Sequence, residues 1–148
     1  MCFDKTGNCA TFFNYSGTLI DFNREMMKVS SGSQSAEDAL ECLRKAMVGA
    51  LRHGKTLVIN VDNLRPNFRV DYKGDVLPEW VWDYQTLFND AVKLVKEDEN
   101  TDCMGSTPYH IIKTFALVIL CTFTNDEDVA SYQEKFPHGG DFKKYIIQ

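Results

Sequence analysis

The sequence predicts a three-layer α/β domain, with a mostly parallel sheet and helices on both faces. Three observations carry this reading. Two runs, Thr56–Asp62 and Phe115–Phe123, are apolar almost without interruption, the pattern of strands buried on both faces rather than one. Before and between them lie two segments, Ala36–Arg52 and Pro78–Val95, whose apolar residues recur at three- and four-residue spacing. Strand and helix signals therefore alternate, as in right-handed βαβ units around a parallel sheet. With 148 residues, 44% hydrophobic and 25% charged, one domain would bury about 68–70% of its unfolded surface, so no metal or disulfide staple is needed. Residues 1–148 read as one domain, with residues 1–9 a flexible or loosely attached N-terminal segment.

The elements follow in order. Ala10–Tyr15 is rich in aromatics and predicts a strand. Ser16-Gly17 offers a turn into a second short strand, Thr18–Phe22, and the two would form a hairpin. Ser30–Ser35 is a loop. The clearest helix spans Ala36–Arg52: Ser35 can accept from its free amides, Glu37 and Asp38 complement its positive end, and Gly54 supplies the left-handed residue that stops it. Thr56–Asp62 is the next strand, and residues 63–76 form a loop marked by Pro66 and Gly74. Pro78 suits the first turn of a second helix, with a stripe of Trp80, Val81, Tyr84, Leu87, Phe88, Ala91, Leu94 and Val95. In that phase Trp80 and Tyr84 share the core face, and Trp82 is covered by another element or exposed at an interaction surface. Glu97-Asp98-Glu99 opens a solvated loop. After the apolar strand Phe115–Phe123, Asn125–Asp128 caps a short helix, and Tyr145–Ile147 is a last strand.

Charge and composition exclude several function classes. Net charge is −5, with Lys and Arg scattered, so there is no electrostatic footprint for nucleic acid. Five cysteines, at 2, 9, 42, 103 and 121, include no Cys-x-x-Cys pair, which argues against a disulfide framework or a zinc knuckle. No apolar run approaches the ~20 residues of a membrane helix. A soluble, cytoplasmic protein with a protein partner is expected.

One motif is a decoy. Gly49-Ala50-Leu51-Arg52-His53-Gly54-Lys55-Thr56 matches G-x-x-x-x-G-K-[ST], but phosphate binding needs strand, loop, then helix N-terminus. Here a helix precedes the glycines and a strand follows them, so the motif presents helix carbonyls and partial negative charge. His53, His110 and His138 lack metal-ligand spacing, and Cys103 with His110 sits in an acidic context that disfavours a thiolate.

The order of elements from Ser35 to Gln148 resembles the later part of a P-loop ATPase core of the AAA type. One apolar strand ends in Asp62, a helix follows, and the next strand ends Thr122-Phe123-Thr124-Asn125. The resemblance implies a P-loop or Rossmann-like sandwich. It places Asp62 as the magnesium-associated carboxylate, and Thr122, Thr124 or Asn125 as the residue sensing the γ-phosphate. It also implies a first strand in the middle of the sheet; either Ala10–Tyr15 fills that slot or the domain is an unusual remnant. Two parts of the pattern are missing. Asn63 stands where many such ATPases have the glutamate that polarises water. No glycine-rich loop occurs in strand–loop–helix order, and Tyr15-Ser16-Gly17-Thr18 lacks the lysine.

Two functional expectations follow. The first is a non-catalytic interaction or scaffold module, a degenerate P-loop-like domain with no cofactor. The alternative is a divergent nucleotide-binding phosphohydrolase or phosphotransferase that uses Asp62 with Mg2+ and ATP.

Overall fold

The computed structural model describes residues 1–100, 108–122 and 125–147. Its centre is a five-stranded, all-parallel sheet of β1 (Cys2–Asp4), β2 (Thr18–Asp21), β3 (Thr56–Asp62), β4 (Ala116–Cys121) and β5 (Tyr145–Ile147), in the order β2-β3-β4-β1-β5. Helices α1 (Cys9–Ser16), α2 (Phe22–Ser30), α3 (Ala36–His53), α4 (Tyr84–Asp90) and α5 (Asp126–Tyr132) lie in the connections. The expected parallel α/β fold is what forms. The two apolar runs are neighbouring parallel strands, with Leu57 beside Leu117 and Ile59 beside Ile119. Among the described residues, no helix is long and apolar enough to cross a membrane.

The strand order fixes the layers. The chain leaves β1 in one direction to reach β2, then steps back through β3 and β4 to β5. Right-handed crossovers that run in opposite directions lie on opposite faces. Helix α1 therefore covers one face alone, where Cys9, Ala10 and Phe13 pack with Cys2, Leu19, Val58, Val118 and Leu120. The other face carries the larger core, in which Phe3, Leu57, Ile59 and Ile119 cluster with Leu43, Met47, Leu51, Tyr132 and Phe136.

Helix α3 ends as its sequence predicts. Ser35 and Asp38 form a reciprocal capping box, and Gly54 closes the helix at φ 60°. A side chain at Gly54 would also collide, because a Cβ there would sit 2.2 Å from Thr114 Oγ1. The Lys55 amide donates to the Ala50 carbonyl at 2.9 Å, so the G-x-x-x-x-G-K-T match is a helix cap.

Four expectations are corrected. Residues 1–9 are not a loosely attached segment as a whole: Met1–Asp4 are buried, and β1 sits between β4 and β5 in mid-sheet. Ala10–Tyr15 is not a strand but the body of α1, because a right-handed crossover must follow β1, and this outweighs the weak local preference of its aromatics. No hairpin forms, and β2 pairs in parallel with β3. The second helix is broken: a 3-10 turn at Glu79–Trp82 ends at Asp83, whose side chain accepts from the Gln85 amide and restarts the chain as α4. The restart changes the phase, so Tyr84, expected on the core face, is 57% exposed, while Trp82, at 4%, is covered by another element, one of the two alternatives expected for it. Trp82 packs at a steep angle against Phe68 and edge-on against Phe136, with ring centroids 4.9 and 5.2 Å away.

The acidic run is also only partly solvated. Arg44 of α3 is 3% exposed and donates to Glu41, to Glu99 at 2.8 and 2.9 Å, and to the Leu94 carbonyl at 2.6 Å. Its hydrogen bonds hold the Glu41 carboxyl at about 2 and lower that of Glu99. This clamp ties α3 to the segment that follows α4.

Candidate functional site

The crossovers leaving β1 and β4 lie on opposite faces, so these neighbouring strands part at their C-terminal ends. In open parallel sheets that parting is the crevice where ligands bind. Register puts Phe3 and Asp62 each beside Cys121. Asp4, Thr122 and Asp62 therefore stand along three adjacent strand ends.

Asp62 and Thr122 are brought together by local backbone geometry. Asp62 has φ 52°, a left-handed conformation that aspartate tolerates better than most residues, beside a register shift between Asn60 and Asp62. Thr122 Oγ1 donates to Asp62 Oδ1 at 2.5 Å, and the Thr122 amide donates to the Asp62 carbonyl at 2.9 Å. Asn60 Oδ1 accepts from the Asp62 amide at 3.2 Å, and Asn23 Nδ2 lies 3.5 Å from Asp62 Oδ2. Both carboxylate oxygens thus face donors of the chain itself. Thr124, like Cys103, lies outside the described residues. Asn125 is exposed and precedes α5, where its carbonyl accepts from the Asp128 and Val129 amides and its side chain makes no capping bond. Among the described residues, no group of three or more His, Cys, Asp or Glu is placed to hold a metal ion.

The third strand end is Asp4, for which sequence reasoning gave no role. It is 1% exposed, yet both of its oxygens are satisfied. Oδ1 accepts from the Thr6 amide at 2.9 Å and the Thr6 hydroxyl at 2.7 Å, and Oδ2 accepts from the Cys9 amide at 2.7 Å. Gly7, at φ 74°, lets the loop double back so that the first residue of α1 points its amide at the carboxylate. Burial opposes ionisation of Asp4, but the hydrogen bonds from Thr6 and Cys9 outweigh it and hold the carboxyl at about 2. Two amides of this strand–loop–helix turn, a natural anion site, those of Thr6 and Cys9, are here taken up by the chain's own anion.

The environment of the nearby thiols disfavours the nucleophilic thiolate. Burial, then the neighbouring Cys2 and Asp4, push the Cys9 thiol to about 12, and burial raises that of Cys2. A strand–loop–helix signal was present in Cys2-Phe3-Asp4-Lys5-Thr6-Gly7-Asn8, but a three-residue strand falls below the length at which periodicity speaks. Comparison with known proteins finds no matching family model, no matching curated protein and no matching solved structure.

Proposed function

We propose that this chain is a non-catalytic α/β interaction module, a P-loop-like domain whose phosphate position is filled by its own Asp4. The observation that supports it most strongly is the set of three hydrogen bonds from Thr6 and Cys9 to that carboxylate. Asp4 is ionised at neutral pH, so an incoming phosphate would meet like charge and amides already in use. Phosphoryl transfer depends on positioning and charge neutralisation, and this loop offers neither. Asn63 cannot serve as a base. The position of β1 in mid-sheet, with Asp62 and Thr122 at neighbouring strand ends, supports the P-loop-like part of the reading. Free Cys2, Cys9, Cys42 and Cys121 support a reducing, cytoplasmic setting.

The Asp62–Thr122 pair favours a second reading, a nucleotide phosphohydrolase or phosphotransferase in which Asp62 holds Mg2+ jointly with substrate phosphates. A phosphate-release assay with magnesium-ATP and magnesium-GTP separates the two. The module reading expects no release above buffer; release abolished by Asp62→Asn would establish the enzyme reading instead.

A further inference from the structure

The two faces of the sheet are unequally covered. Parallel sheets are normally buried on both faces, but the eight residues of α1 extend over only part of theirs. Register with Cys2 puts Tyr145 and Ile147 on the α1 face, where they are 59% and 38% exposed. Phe12, on α1, is 64% exposed. With Phe13, Cys2 and Val118 these side chains line one side of a half-open cavity of about 880 Å³, which Trp82, Tyr84 and Leu87 of the opposite layer also line, a volume that pockets for bound groups typically reach.

The cavity carries a charge signature. Lys143 lines it and Lys144 follows at the entrance to β5; both are exposed. Neither has a carboxylate partner among the described residues, although the chain as a whole carries a net charge of −5. The one acidic group in the lining, Asp141, faces His138 at 3.7 Å.

Backbone geometry selects the form of the occupant. The Tyr145 amide donates to the Met1 carbonyl and the Ile147 carbonyl accepts from the Lys5 amide, so β5 turns these groups toward β1. Alternation leaves Ile146 alone presenting its backbone outward within β5. That is too little for an added strand, whereas a helix is the usual cover of a parallel sheet's face. A second copy fits poorly, because a two-fold interface through this patch sets it against itself and brings Lys143 and Lys144 of both copies together.

We propose that the uncovered half of the α1 face is a docking site for an amphipathic helix of a protein partner, its apolar stripe on Phe12, Tyr145 and Ile147 and its acidic residues toward Lys143 and Lys144. The site rests on the interaction-module reading only in supposing a partner; it adjoins the Asp4 loop through Cys9 and Ile147.

Selection of a random peptide display library on the full chain tests it. The expected peptides carry apolar residues at i, i+3, i+4 and i+7 flanked by Asp or Glu. Phe12→Glu and Tyr145→Glu, both at solvent-exposed positions, should keep the thermal unfolding of the parent and weaken binding at least tenfold. The double change Lys143→Glu with Lys144→Glu should reverse the charge preference of the selected peptides. No enrichment, binding that survives Tyr145→Glu, or an unreversed charge preference overturns the proposal. So does a dimer in sedimentation that Tyr145→Glu dissociates, or binding of a fatty-acid probe alone. Adding magnesium-ATP to the same samples keeps the two readings apart. Nucleotide binding alongside peptide binding defeats only the module reading, and absence of both defeats only the docking site.

Discussion

Replacing Asp4 with asparagine probes the self-filled loop with almost no change in shape. Asparagine can still accept at one atom, but its amide group would face either the Cys9 amide or the Thr6 donors, so at least one buried donor loses its partner. An unsatisfied buried donor costs about 1–3 kcal/mol. Independently, a carboxyl held at about 2 rather than 3.8 has its ionised form favoured in the fold by about 2–3 kcal/mol. The two routes agree on a loss of about 2–3 kcal/mol at neutral pH, or a Tm lower by about 4–12 °C for a chain of this length. The pH dependence has a definite sign. Because the folded value is depressed, the stabilisation is fully present above the unfolded value and is lost as pH falls through about 2. Urea unfolding of the parent and Asp4→Asn at a series of pH values measures the gap between them. The gap should be widest at neutral pH and shrink on acidification. A gap below about 1 kcal/mol at neutral pH, or one that does not change with pH, would refute the reasoning.

Three further outcomes are expected. Gly54→Ala should destabilise by about 2 kcal/mol or more in chemical unfolding, since its φ is 60° and a Cβ would meet both Thr114 and Ile112. Arg44→Ala should cost about 3–5 kcal/mol by leaving Glu41, Glu99 and the Leu94 carbonyl without their buried donor. The parent should also lose stability as pH falls from the ordinary glutamate value toward about 2, where Glu41 is held, and this acid slope should be shallower in the variant. Lys55→Ala should change stability by less than about 0.5 kcal/mol and leave nucleotide behaviour as in the parent, because Lys55 follows a helix cap.

What the sequence made legible tracks the strength of the local signal. Helix α3 could be placed nearly to the residue, because periodicity, the Ser35 cap and Gly54 all agree. Strands β3 and β4 stood out because burial on both faces leaves no polar alternation to confuse with a surface strand. The segment after β3 was misread because a single apolar stripe cannot register a change of phase, and Asp83 imposes one. The N-terminal region failed for a different reason. Three residues of β1 hold no period, and the aromatics of α1 favour a strand locally, while the topology of the sheet demands a helix. Asp62 and Thr122 stood out as candidates because each lies at the end of a long apolar strand, and the fold brings the two together. Asp4 was not, because its role depends on a loop that folds back on it through Gly7, a geometry that no residue type announces.

The central claim is that the Thr6 and Cys9 amides after β1 are occupied by the chain's own carboxylate. Amide NMR of the whole chain, titrated with magnesium-ATP, tests it most directly. The account predicts that the Thr6 and Cys9 amides keep their shifts while nucleotide rises to millimolar concentration, with only small scattered changes elsewhere. Saturable micromolar shifts centred on Thr6, Cys9, Asp62 and Thr122 would contradict it.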